Sequence, residues 1–139
     1  MSIWFKNYTV KDIVTRDTMV EHLGIVVTEL GDDYVVGTMP VDNRTKQPFG
    51  ILHGGASVAL AETLASYAGY LTINPEKYHV VGVEINANHL KMAKRGLVTG
   101  KCSPIKIGRS TQVWQTEITN NDDELVCISR ITLMVLDKK

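Results

Sequence analysis

Long apolar runs, a charge excess of either sign, proline, cysteine and aromatic residues are all scarce in this chain of 139 residues. No apolar stretch reaches the roughly 18–20 residues that a membrane-spanning helix needs. The longest weakly polar stretch, Ile51 to Ile73, is broken by His53, Glu62, Thr63 and Ser66. The opening residues, Met1 to Lys6, hold neither an apolar signal core nor a small-residue cleavage site. A cytoplasmic protein without a membrane partner is therefore expected. Lys+Arg and Asp+Glu each number 15, so the formal net charge is zero, and aromatics are only 6%. That balance leaves neither the basic excess nor the stacking surface of a general nucleic-acid binder. The two cysteines, Cys102 and Cys127, are far apart and form no Cys-x-x-Cys pair. They are expected as buried thiols in a reducing compartment.

What remains is ordinary globular composition, 44% hydrophobic and 22% charged, at the length of one domain spanning 1–139. Val10, Ile13, Val14, Met19 and Val20 fall near helical spacing, so Tyr8 to Glu21 is expected as a helix. Thr9 is its N-cap and Gly24 its stop. Leu23–Leu30 and Tyr34–Met39 flank Gly31-Asp32-Asp33 and read as a β-hairpin. Pro40 to Pro48 is a polar loop. From His53 to about Leu71 runs the one long helix, with Leu60, Leu64, Leu71, Ala61, Ala65 and Ala68 forming an apolar stripe. Asn74-Pro75-Glu76 ends it. Four segments rich in β-branched residues follow, Val80–Ala87, Gly96–Ile107, Ser110–Thr119 and Leu125–Leu136. The order predicts an α+β fold: a six-stranded antiparallel sheet with one long helix on its concave side. Its open edges, carrying Val, Ile and Trp, invite pairing with a second copy.

The stretch Gln47-Pro-Phe-Gly-Ile-Leu-His-Gly-Gly-Ala-Ser57 carries most of the chemistry. Backbone N–H groups in a helix's first turn lack intrahelical partners and sit at the positive end of its dipole. Gly54 and Gly55 would let a developing oxyanion approach them without a Cβ in the way. The same two glycines equally suit a tight turn with close packing. Glu62 lies mid-helix among Leu60, Ala61, Leu64 and Ala65. Buried there, its carboxyl pKa would rise, making it a base or nucleophile near neutral pH; otherwise it belongs to a solvated face. Ser66, four residues on, shares that face and can hold the carboxylate or a water, or simply serve as a small packing residue.

Gly54 and Glu62 are eight residues apart, about 12 Å along a helix axis. One helix cannot easily bring both to one carbonyl. Two copies packed antiparallel about a two-fold can, giving two equivalent sites per dimer. Other chemistries find little support. His22, His53, His79 and His89 lack metal-ligand spacing, and no Gly-x-Ser-x-Gly elbow, Gly-x-Gly-x-x-Gly or phosphate-binding loop is present. Neither a metal nor a redox cofactor is expected.

The Gln47–Ser57 stretch with Ala61-Glu62-Thr63 resembles the central motif of the hotdog-fold acyl-CoA thioesterases, in the 4-hydroxybenzoyl-CoA thioesterase-like branch. The resemblance extends through His22-Leu-Gly-Ile25, Met39-Pro-Val-Asp-Asn-Arg-Thr45, Val81 to His89 and Gly108 to Trp114. Its enterobacterial members hydrolyse 1,4-dihydroxy-2-naphthoyl-CoA in menaquinone synthesis or clear mis-acylated aryl carrier protein in enterobactin synthesis. It implies Glu62 as nucleophile or general base, the Gly54 amide on the carbonyl oxygen, Gln47 and His53 at the thioester, and Ser66 on the water. It implies an acyl-group contact at Tyr67, where relatives carry a smaller or flexible apolar side chain. It also implies coenzyme A contacts at Gly82, at His89, Leu90, Lys91 and Met92, and at Lys106, Ile107, Gly108, Arg109, Ser110 and Thr111. Lys91, Lys94, Arg95, Lys106 and Arg109 would then form one positive cluster for nucleotide phosphates, or else a solvated strand-end surface. A dimer, and a dimer of dimers, is expected, with coenzyme A as part of the substrate rather than a cofactor. Two rivals are a hotdog dehydratase or hydratase using the same helix N-terminus, and a non-catalytic acyl-CoA binding module.

Overall fold

A computed structural model describes all residues, 1–139. It contains a 3-10 turn (Val10–Asp12), a one-turn helix α1 (Met19–His22), strands β1 (Val26–Leu30) and β2 (Val35–Pro40), and the long helix α2 (Gly54–Thr72). Strands β3 (Tyr78–His89), β4 (Leu97–Ile107), β5 (Thr111–Thr119) and β6 (Leu125–Asp137) complete it. The six strands form one antiparallel sheet in the order β1-β2-β4-β5-β6-β3, with α2 packed against β2 through β6. This is the expected α+β architecture, and it leaves β1 and β3 as the two edges. Trp114 is no edge residue; it is buried on β5.

The expected helix over Tyr8 to Glu21 does not form as one element. Thr9 does cap a turn, in a full capping box with Asp12, but that turn ends at Asp12. Neither short piece buries a residue, so no packed face offsets the weak helix propensity of Val10, Ile13, Val14 and Thr15. Asp17, at φ 58°, interrupts the backbone before α1 begins. Gly24, at φ 75°, ends α1 as anticipated.

Helix α2 sits deep in the sheet because two facing glycines make room for it. Gly37 on β2 and Gly100 on β4 are register partners. A Cβ on either would come within 2.7 or 2.8 Å of the Leu64 side chain. Leu60, Ala61, Leu64, Ala65, Ala68 and Leu71 are all buried, as the stripe predicts. Farther along, a buried chain of hydrogen bonds ties helix to sheet. Trp114 Nε1 donates to Gln112 Oε1 (2.8 Å), Gln112 Nε2 to Thr72 Oγ1 (2.9 Å), and Thr72 Oγ1 to the Gly69 carbonyl (2.7 Å). Trp4 stacks on Trp114, ring centroids 6.5 Å apart, and donates to the Gly31 carbonyl. This clamps the N-terminal segment over the end of the core.

Leu64→Ala should therefore cost about 3 kcal/mol, because the sheet cannot collapse into the space left between the two glycines. Urea denaturation with an unchanged m-value would measure it. Cys102 and Cys127 are both fully buried free thiols, and burial pushes Cys102 up to about 12. Native protein should accordingly show no fast-reacting thiol with Ellman's reagent, and two after unfolding.

Candidate active site

The first turn of α2 accounts for its own amides almost completely. Ala56 and Ser57 donate to the His53 carbonyl, and Gly55 donates to His53 Nδ1 at 2.8 Å. Only the Gly54 N–H makes no hydrogen bond within the chain. One donor, at the positive end of a 19-residue helix, is thus left for an external acceptor. The His53 ring works as the helix cap and is otherwise exposed.

That donor opens into a cavity of about 550 Å³ shared with Gln47, His89, Leu90, Lys91 and Met92. The His89 ring lies against Gly54, so close that a Cβ there would sit 2.9 Å from Nε2. Gln47 is half-buried in the wall, its side-chain oxygen accepting from the Phe49 amide. Gln47, Gly54, His89, Leu90, Lys91 and Met92 are thereby brought together.

Glu62 and Ser66 lie elsewhere. They share a separate cavity of about 330 Å³ with Tyr67 and with Met19, Val20, Leu23 and Ile25 of the N-terminal segment. No residue lines both cavities. Glu62 sits on the flank of α2 next to the β3 edge, on one stripe with Ala59 and Ser66, and is half-buried rather than sealed. The deep desolvation expected for it is not supplied by one chain alone. Its Oε2 reaches over β3, 3.0 Å from where a Cβ on Gly82 would stand. Tyr67 donates its hydroxyl to the Val14 carbonyl at 3.1 Å, and burial raises its phenol above the ordinary value.

The expected single basic cluster is split. Lys91, Lys94 and Arg95 gather before β4 with Asp122 and Glu124, and Lys91 pairs with Glu124 at 3.1 Å. Lys106, Ile107, Gly108, Arg109, Ser110 and Thr111 lie at the far end of β4 and the start of β5. That is about 30 Å away along the strand, because an extended strand advances about 3.3 Å per residue. Gly82 belongs to that second end, on one row with Leu133, Gln112 and Ile107.

A model of the thioesterase superfamily matches residues 49–127, which includes Gly54, Glu62 and the whole of β3, β4 and β5. The chain belongs to the thioesterase superfamily. It is 48% identical over 136 residues to an Escherichia coli protein named 1,4-dihydroxy-2-naphthoyl-CoA hydrolase, covering 96% of this chain and 99% of that one. It is 49% identical to a Cronobacter sakazakii protein named proofreading thioesterase EntH, covering 96% and 98%. A crystal structure of a Haemophilus influenzae thioesterase superposes with a TM-score of 0.93 at 47% identity, covering 97% and 95%. A Pseudomonas aeruginosa thioesterase superposes at 0.96 with 39% identity, covering 99% and 100%. The fold is the hotdog fold of these thioesterases, and the protein is an enzyme of thioester hydrolysis. No helix is long and apolar enough to cross a membrane.

Three features of the candidate site escaped the sequence. Gly82 leaves room for the Glu62 carboxylate, His89 packs on Gly54, and the N-terminal segment walls the Glu62 cavity. All three join residues distant in the chain. Only the lone glycine in the apolar run of β3 was a visible sign of close approach. Gly82→Ala should push the carboxylate aside at little cost in stability, since the atom met is the end of a flexible side chain. A fall in kcat of about tenfold or more, with a melting temperature within a few degrees of wild type, is expected from such misplacement. Unchanged kcat would remove Gly82 from the site.

Proposed function

We propose that the chain hydrolyses aromatic acyl-CoA thioesters to free acid and coenzyme A, as a dimer with two shared active centres. Each centre would take Glu62 from one copy and Gly54 from the other, with no metal or redox cofactor. The observation that carries this is the separation of the one uncommitted amide and the helix carboxylate into different cavities of one chain. Strand β3 supplies the means to reunite them. It is a 12-residue edge, with Val81 43% and Val83 57% exposed, and an uncovered apolar edge calls for a partner. Gly82, beneath Glu62, and His89, against Gly54, lie toward opposite ends of that strand. Two copies of β3 paired antiparallel about a two-fold between Ile85 and Asn86 set Gly82 of one opposite His89 of the other. The second copy would also complete the desolvation that Glu62 lacks.

At that seam the Gly54 N–H holds the thioester oxygen as it gains charge. Glu62 attacks the carbonyl carbon or takes a proton from an attacking water, and Ser66 holds the water one turn away. Gln47 and His89 frame the carbonyl, and the coenzyme A thiolate leaves toward Lys91 and Met92. The pairing would bring the Lys106–Thr111 end of one sheet to the same side as the Lys91 end of the other, where both can meet nucleotide phosphates. The acyl class rests on the relative named a 1,4-dihydroxy-2-naphthoyl-CoA hydrolase, and a carrier-protein donor is what the family resemblance of the sequence implies.

Steady-state kcat/KM across aryl-CoA and alkyl-CoA thioesters, 1,4-dihydroxy-2-naphthoyl-CoA included, and an aryl-loaded carrier protein tests the substrate. Glu62→Ala should lower kcat by about 10²–10⁴-fold while the protein stays folded. Turnover near wild type would sink the mechanism. Gly54→Pro removes the donor at the first helical position, where proline suits the backbone, and also displaces the His89 ring of the same cavity. Mixed dimers of Gly54→Pro with Glu62→Ala chains should regain about a quarter of wild-type activity, since half the dimers are mixed and each restores one centre of two. No recovery would mean that each centre is built within one chain.

A further inference from the structure

Five polar residues are buried in this chain, Thr45, Ser57, Gln112, Thr116 and Ser129. Four of them have partners. Thr45 donates to the Pro40 carbonyl (2.6 Å), Gln112 to Thr72 Oγ1 (2.9 Å) and Ser129 to the Asn86 carbonyl (2.8 Å), while Thr116 lies on the Cys102 thiol. Ser57, only 2% exposed, has no partner for its hydroxyl. A serine inside a helix commonly bonds back to the carbonyl four residues earlier. That bond is not formed here, and the His53 carbonyl takes the Ala56 and Ser57 backbone N–H groups instead. No fully enclosed side-chain oxygen or nitrogen in the chain lacks a partner, so the Ser57 oxygen must reach open space. The space it borders is the cavity of about 550 Å³ that holds Gly54, Gln47 and His89.

We infer that the Ser57 hydroxyl is a second hydrogen-bond donor to the oxygen held by the Gly54 N–H, and so a further catalytic residue. The inference rests on the thioesterase reading of the Gly54 site and adds a residue to it. Ser57 stands three residues beyond Gly54, about 4.5 Å along the axis. Cα–Cβ bonds in a helix tilt toward its N-terminus, so the hydroxyl is carried back toward the level of the Gly54 amide, on the same cavity. A carbonyl oxygen has two lone pairs and can take one bond from each donor. When the carbonyl carbon is attacked, that oxygen gains charge and both bonds strengthen, with no proton changing hands. A hydroxyl bonded back to the helix would first have to be freed. This one is uncommitted already, which is the preorganisation such a donor requires. A buried polar group without a partner lowers stability, so a serine held in that state beside an uncommitted amide points to an acceptor from outside the chain.

The test compares wild type with Ser57→Ala, Ser57→Cys and Ser57→Thr. Each is assayed on the best aryl-CoA substrate and by binding of S-benzyl-CoA, a thioether with a methylene in place of the carbonyl. Ser57→Ala should lower kcat by about 10²-fold with KM within about threefold of wild type, as loss of one oxyanion donor does. Its melting temperature should match or exceed that of wild type, because the lost hydroxyl bonds nothing in the fold. A purely structural serine would lose stability along with activity. The Kd of S-benzyl-CoA should stay unchanged, since that ligand offers the donor no oxygen. Ser57→Thr keeps the hydroxyl and should recover about tenfold or more over alanine. Ser57→Cys has nearly the same shape with a weak donor, so it should stay near the alanine value and serves if the alanine variant does not fold. A kcat within about threefold of wild type in folded Ser57→Ala or Ser57→Cys overturns the role of Ser57 and leaves the thioesterase reading standing. Binding of S-benzyl-CoA that weakens in step with kcat overturns it too, because the hydroxyl would then hold the leaving group. A wild-type protein that cleaves no CoA thioester overturns both.

Discussion

Two groups fixed on one rigid helix cannot approach each other. Gly54 and Glu62 are held eight positions apart on α2, and α2 is pinned along its length by the sheet, by Leu64 between Gly37 and Gly100, and by Thr72 on Gln112. Bending the helix to bring amide and carboxylate together would break backbone hydrogen bonds and that packing at once. The backbone positions that carry the donor and the carboxylate therefore stay about 12 Å apart along the axis in any folded single chain. The separation of the two groups into different cavities follows from that spacing.

The sheet side of the molecule was largely legible in the sequence, and the reasons are local. Alternation along Val113–Thr119 reports a strand with unequal faces, the β-branched content of Leu125–Leu136 reports another strand, and the Leu and Ala stripe of α2 reports the face laid on the sheet. Turn residues then set the order. The failures are of another kind. Val10, Ile13 and Val14 fall at helical spacing, yet helical spacing stabilises a helix only when the face it makes has something to cover. Here that segment lies along α2 and serves as the lining of two cavities. Its apolar residues are there for the cavities, which periodicity cannot reveal.

The site was legible in its parts and illegible in its distances. The His53-Gly54-Gly55 start of α2 and the isolated Glu62 are visible because they violate the apolar pattern around them. Glu62 was read as enclosed by its sequence neighbours, Ala61 and Leu64. Those neighbours are buried under the middle of the sheet, whereas Glu62 lies at the flank of the helix over the β3 edge, so its surroundings are set by Gly82 and by the N-terminal segment. The basic residues fail for a related reason. Lys91 and Lys106 seem close in sequence, but an intervening extended strand of 11 residues places them at opposite ends of the sheet. Proximity in sequence means proximity in space across a turn and the reverse across a strand.

The chemistry of the two cavities divides along the line where a thioester would be cut. Around Glu62 the walls are Val20, Leu23, Ile25 and Tyr67, suited to an acyl group and inhospitable to phosphate. Around Gly54 the walls mix Leu90 and Met92 with Gln47, His89 and Lys91, suited to a polar leaving group with an anionic tail. A thioester carbonyl lies between such halves, so it belongs where the two linings meet. One chain has no such place, because its linings share no residue. In the proposed dimer each acyl cavity faces the leaving-group cavity of the other copy, and the bond to be broken lies on the boundary between them. Specificity for the acid and recognition of its carrier then reside on different copies of one sequence.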